Sequence, residues 1–143
     1  VREVWDKPLF LRISATDWVD DRPSWTLADS VRLAAATAEL GVDVVDVSSG
    51  GSDPDQSPPH TGANYQVQLA ETVREEGEVP VCAVGGIETP QQADALVRNG
   101  RADFAAVASQ FLREPYLGLN AARTLDQRDR VEWPPQYERW IRE

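Results

Sequence analysis

The chain has 143 residues, 41% of them hydrophobic, enough for one domain with its own core. Its formal net charge of −10, from 24 acidic against 14 basic residues, argues against nucleic acid or an anionic membrane as the main partner. The single cysteine, Cys82, excludes an internal disulfide and fits a reducing cytoplasm; no signal peptide or membrane-spanning stretch is visible.

Residues 1–5 (VREVW) begin on an apolar, helix-like pattern with no cap, and read as the end of a helix whose start is missing. Residues 9–13 (LFLRI) follow Pro8 as a strand, and Arg12 interrupts an otherwise apolar run. A polar loop over 14–24 carries Asp17, Trp18, Asp20 and Asp21. Thr26 with Asp29 forms a capping-box pattern; Leu27, Val31, Ala34, Ala35 and Ala38 keep the helical period, and Gly41 ends it. Residues 44–47 (VVDV) form the next strand. The connection over 48–64 is long and rich in Gly, Pro, Ser and Asp, a composition typical of functional or mobile loops. A helix over 65–76 follows, with Val67, Leu69, Ala70 and Val73 as its apolar positions.

The chain is organised around residues 81–110. Residues 81–84 (VCAV) are a short β-branched run suited to a buried parallel strand, ended by Gly85 and Gly86. Thr89 is a helix N-cap, with Pro90 at the first helical position and Gln92 three residues on. Ala93, Leu96 and Val97 make a core-facing stripe, Gly100 takes the left-handed position after the helix, and 104–108 (FAAVA) form a second buried strand. This is a βαβ unit with a right-handed parallel crossover as its default. A last helix spans about 115–125, and 126–143 is a charged, aromatic tail that needs a docking surface to be ordered.

Four strands, each followed by a helix, define an α/β chain with a parallel sheet under helical cover. Two architectures fit: a small open doubly wound sheet, or half of a (β/α)8 barrel. The uncapped start at Val1 favours the half barrel.

The segments PLFLRISATDW, GVDVVDVSSGG, YQVQLAETVRE, VCAVGGIETPQQADALVRNGRADFAAVASQFLREPY and WPPQYERW resemble, in order and spacing, the C-terminal half of Old Yellow Enzyme-like flavin oxidoreductases, nearest to the bacterial ene-reductase (xenobiotic reductase-like) branch. The resemblance spans essentially the whole chain. It implies a TIM barrel holding FMN at the C-terminal ends of its strands, reduced by NADH or NADPH and passing hydride to a small molecule with an activated C=C bond. It also implies that the whole chain, 1–143, is one domain holding barrel strands five to eight.

Residue by residue, the resemblance places Arg12 beside the flavin ring, where it stabilises negative charge; the plain alternative is an arginine ion-paired to a partner such as Asp46. Ser48, Ser49 and Gly50 match a loop lining the flavin side of the site, or form an ordinary polar turn. Gly85 and Gly86 match the phosphate-binding loop after the seventh strand, where glycine lets backbone N–H groups approach a phosphate. After the eighth strand the family carries Gly-Arg; Ser109-Gln110 stands here, which keeps hydrogen-bond donors but loses a full positive charge. Arg113, one helical turn on, matches the family's structural arginine in FLREP, with partial replacement of the lost charge as its alternative role. Arg139 matches a catalytic arginine that reaches into the neighbouring subunit's site, which implies a homo-oligomer. His60 has no His or Cys partner at metal-ligand spacing, so no metal site is expected. Tyr65 and Gln66 match a turn and read as mainly structural.

The first four strands of the family fold, with their substrate-binding residues, are missing from this sequence. Half a barrel leaves two raw strand edges. The isolated chain is therefore expected to be inactive without an N-terminal half barrel, and an excised piece, a split or truncated gene product, and a self-associating module stay open as its origin. A phosphate- or nucleotide-binding half barrel without redox chemistry is the alternative function, and a module that dimerises through its edges and tail is a third.

Overall fold

The computed structural model describes residues 1–138. Its order is β1 (Phe10–Ser14), α1 (Leu27–Glu39), β2 (Val44–Ser48), α2 (Val67–Gly77), β3 (Val81–Ala83), α3 (Pro90–Arg98), β4 (Phe104–Ala105), α4 (Ser109–Arg113) and α5 (Leu117–Thr124). A 3-10 turn over Arg128–Arg130 follows.

Local signals set the helix starts. Thr26 Oγ1 accepts the Asp29 N–H at 3.3 Å, and Asp29 Oδ2 accepts the Thr26 N–H at 2.9 Å. Thr89 and Gln92 repeat the arrangement at the head of α3, with Pro90 as its first residue. Each box satisfies two backbone donors that a helix N-terminus otherwise leaves open. Gly41 and Gly100 follow the C-caps of α1 and α3 at φ +95° and +70°, where a Cβ is disfavoured.

The strands pair in parallel and in chain order, β1-β2-β3-β4. A doubly wound sheet reverses its order at a switch point and places helices on both faces. Here the order never reverses. Ile13, Val45, Val47, Val81 and Ala83 face one layer of helices, packing with Ala34, Val67, Ala70, Val73 and Leu96 in a single core. This is the arc of half a (β/α)8 barrel. The opposite face carries Phe10, Arg12, Asp46, Ser48, Cys82 and Phe104 and is the concave, lumen side. The arc curls enough for the Phe10 and Phe104 rings, on the first and last strands, to meet edge to face at 5.7 Å.

Four expectations change. Residues 1–5 are a turn, not a helix end: Val4 N–H bonds Val1 C=O, and Arg2 reaches across to Gly41 C=O and Asp43. The strand expected over 104–108 is two residues long, and Phe104 is 47% exposed, because β4 is the edge of the sheet among the described residues. Val97 points away from the core, leaving Leu96 as the one fully buried residue of α3. Residues 109–113, expected as loop, make the short helix α4.

Candidate functional site

Parallel half-barrels concentrate chemistry where the strands' C-terminal ends fan out, and a cleft of about 290 Å³ lies there. Arg12 comes from β1, Ser48 from the end of β2, Gly85 and Gly86 from the turn after β3, and Ser109 and Gln110 from the start of α4. These six candidate residues share one wall system. Ser49 and Gly50 do not line it. The Ser49 hydroxyl turns to Gln66 Oε1 at 2.7 Å, and Gly50 C=O accepts the Ser14 hydroxyl at 3.0 Å. Arg139 lies outside the described residues.

Arg12 faces the lumen because its neighbours Leu11 and Ile13 take the core side of the strand. Its Nη1 is 2.9 Å from Asp46 Oδ2, and its Nη2 donates to Ser48 Oγ at 3.2 Å. The ion-paired alternative for Arg12 is therefore present. It does not consume the group: the arginine side chain is 58% exposed beside an Asp46 that is 17% exposed, and the guanidinium has five donors. Asp46 Oδ1 is buried and makes no hydrogen bond.

The glycine turn has a packing reason of its own. Gly85 and Gly86 sit at φ +107° and +65°. A Cβ on Gly85 would fall 2.5 Å from Gln66 Nε2, and one on Gly86 would fall 2.5 Å from the Gly62 carbonyl oxygen. Residues 62–66 lie directly against the turn, so two glycines are required whether or not a ligand approaches. Among the described residues, the backbone N–H groups of Gly85, Gly86, Ser109 and Gln110 donate to no other residue. The four residues that carry these uncommitted donors thus line one cleft. Glu88 also lines it, and each charged lining residue has a partner just outside the lining: Asp46 at 2.9 Å from Arg12, and Arg113 at 3.8 Å from Glu88.

Tyr65 and Gln66, expected to be mainly structural, both line the cleft. Gln66 is 2% exposed and sits just before α2. A buried glutamine must place both ends of its amide, and no local pattern announces where those ends go. His60 stands edge-on to Tyr65, with centroids 6.5 Å apart. No helix of the described residues is long and apolar enough to cross a membrane.

Residues 1–128 match the profile of the NADH:flavin oxidoreductase / NADH oxidase family. The chain belongs to that family. Among characterised members, it is 45% identical over 139 residues to an NADPH dehydrogenase of Geobacillus thermodenitrificans, a match covering 97% of this chain and 39% of that protein. NADPH dehydrogenases of Bacillus subtilis (37% identity, 97% and 39% coverage) and Halalkalibacterium halodurans (39% identity, 99% and 40% coverage) match similarly. The chain thus spans about two fifths of the length of these family members. In three dimensions it resembles histamine dehydrogenase from Rhizobium sp. 4-9, with a TM-score of 0.65 at 22% identity over 85% of this chain and 17% of that one. That likeness supports the fold of this flavin oxidoreductase family chain.

Proposed function

We propose that this chain is the FMN-binding portion of an NAD(P)H-dependent flavin oxidoreductase that reduces activated alkenes, with the rest of the catalytic site supplied by an N-terminal half barrel or a second subunit. The observation that supports it best is the convergence of Arg12 and the four uncommitted N–H donors on one cleft at the strands' C-terminal ends. The donor chemistry suits FMN, which has an anionic phosphate at one end and a ring that becomes electron-rich at the other. At about 290 Å³ the cleft is slightly below the size of typical whole-ligand sites, about 300–1,000 Å³, and suits one end of such a molecule with the rest over the open lumen.

FMN, when bound, supplies the hydride chemistry between NAD(P)H and the substrate. The chain's own residues bind and orient. Gly85, Gly86, Ser109 and Gln110 would present neutral donors to the phosphate. Arg12 would present a fixed positive charge to the ring, fixed because Asp46 and Ser48 hold two of its nitrogens. Arg139 is assigned to the neighbouring subunit's site. We assign the protein to the cytoplasm.

One observation favours a second reading, a phosphate- or nucleotide-binding half barrel without redox chemistry: the donors of the phosphate end carry no charge of their own. The deciding experiment is titration of the purified chain with FMN and with riboflavin, followed by flavin absorbance and fluorescence. Saturable FMN binding that riboflavin mimics weakly, and that Arg12→Ala abolishes, is the expected result. Binding indifferent to Arg12 would move the assignment to the second reading, and no binding at high micromolar FMN would remove the chain alone as an FMN module.

A further inference from the structure

The two ends of the cleft are joined by one continuous hydrogen-bond path. Arg12 Nη2 donates to Ser48 Oγ at 3.2 Å, and the Ser48 hydroxyl donates onward to Gln66 Oε1 at 3.3 Å. The Ser49 hydroxyl donates to the same Oε1 at 2.7 Å. On its other side, Gln66 Nε2 donates to the Val84 carbonyl at 3.2 Å, immediately before Gly85. Every donor has a matching acceptor, so the amide has one consistent orientation: oxygen toward the two serines, nitrogen toward β3. Packing adds a second link, because the Gln66 amide occupies the space a Gly85 Cβ would need. The residue is 2% exposed, so its own amide is largely shielded from water.

We infer that Gln66 is a positioning residue that anchors both ends of the cleft, its amide oxygen holding Ser48 and through it the Arg12 guanidinium, its amide nitrogen holding the backbone just ahead of the Gly85-Gly86 turn. A loss at Gln66 therefore changes both ends at once, although it touches neither the Arg12 charge nor the glycine N–H groups. Its consequence for FMN rests on the proposed function above; the anchoring itself does not.

The test uses proton–nitrogen correlation spectra of the ligand-free chain as wild type, Gln66→Met, Gln66→Glu and Ser48→Ala. Gln66→Met keeps length but removes every bond, so the Arg12 Nε–H signal and the Gly85 and Gly86 amide signals are expected to move together. Gln66→Glu keeps an acceptor for the serines and loses the donor to Val84; the glycine signals are expected to move more than the Arg12 signal, which feels only the new charge through Ser48. Ser48→Ala severs the path on the other side and is expected to move Arg12 and spare the glycines. General loosening of the fold moves all of these signals in every variant. An Arg12 signal unmoved in Gln66→Met, or both ends moving equally in Gln66→Glu and Ser48→Ala, overturns the inference. Should Gln66→Met fail to fold, the opposite responses of Gln66→Glu and Ser48→Ala still decide it. FMN titrations of the same variants are expected to show at least fivefold weaker binding. If the wild type binds no FMN, the proposed function fails and the spectra still judge the anchoring.

Discussion

Arg12 and Asp46 are direct partners in the β1–β2 register, and their side chains meet on the lumen face at 2.9 Å. Both are displaced from the core by the two-residue period of a strand: Ile13, Val45 and Val47 take the helix side. The pair leaves the guanidinium facing the cleft and leaves one Asp46 oxygen covered and unbonded.

Removing Arg12 should separate stability from binding. Exposed ion pairs contribute about 0–1 kcal/mol, and a covered carboxylate left without its cation adds a penalty of about 1 kcal/mol or more. Arg12→Ala should therefore unfold about 1–2 kcal/mol more easily in urea, with Asp46→Asn in the same chain recovering part of the loss. FMN affinity should fall at least tenfold and stay low in the double variant. Full recovery of FMN binding in the double variant would show that Arg12 acts only on Asp46.

Glycines in this chain should differ by what surrounds them. At Gly86 the obstacle to a side chain is backbone, the Gly62 oxygen and Ala63 Cα, so Gly86→Ala should cost about 3 kcal/mol. Gly51 also has positive φ but nothing within 4 Å, so Gly51→Ala should cost only about 1 kcal/mol. Gly118 lies inside α5 in open space with an ordinary helical backbone, and Gly118→Ala should stabilise by about 0.5–1 kcal/mol. Urea midpoints for the three variants check this ranking; equal losses at Gly86 and Gly51 would contradict the packing account.

The stability profile should fall at both pH extremes for separate reasons. Burial pushes the Asp103 carboxyl up, but the Val81 N–H and the Arg74 guanidinium outweigh it and leave its pKa below the usual value of 3.8. The Leu9 N–H and Arg2 lower Asp43 likewise. A depressed folded pKa gives stability that is complete above about pH 4 and lost as pH falls through the folded values. Asp103→Asn, which keeps an acceptor for Val81, should flatten this acid limb. Cys82 behaves oppositely: burial, then the Asp46 charge, push its thiol from 9.0 up to about 11. The unfolded thiol ionises first, so stability present below pH 9 is lost between about 9 and 11. Cys82→Ala should remove this alkaline component. At pH 8 only about one folded thiol in a thousand is ionised, so a thiol reagent should label Cys82 slowly until denaturant is added.

Charge at the phosphate end should be restorable. A charge-assisted hydrogen bond is roughly twice as strong as a neutral one, a gain of about 1–1.5 kcal/mol or about tenfold in affinity. Gln110→Arg or Ser109→Arg should tighten FMN by about that factor and leave riboflavin unchanged. Tightening of both flavins equally would place the new charge at the ring and not at the phosphate.

Much of the fold is decided by interactions spanning only a few residues, and these are legible in the chain. Thr26 with Asp29, Thr89 with Pro90 and Gln92, and Gly41 and Gly100 after their helices all close within one turn, so their residue types suffice. The strand–helix alternation is equally local, and the chain's membership of the flavin oxidoreductase family is readable from motifs in order. Pairing order is not local: strand–helix alternation alone leaves a doubly wound sheet open, and the order 1-2-3-4 with helices on one face bears out the half barrel that the family motifs imply. The same holds for Phe104, apolar by type but left on an exposed edge, and for Val97, one position off the buried stripe. Residues 1–5 lose their helical pattern because Arg2 finds Gly41 and Asp43, about forty positions away. Gly85 and Gly86 look like a ligand turn in one dimension, yet in three they are required by residues 62–66 packing against them. Gln66 reads in sequence only as part of a mainly structural turn. Its role depends on where Ser48, Ser49 and the Val84 carbonyl come to rest, and a buried amide takes its meaning from the groups that tertiary packing brings to its two ends.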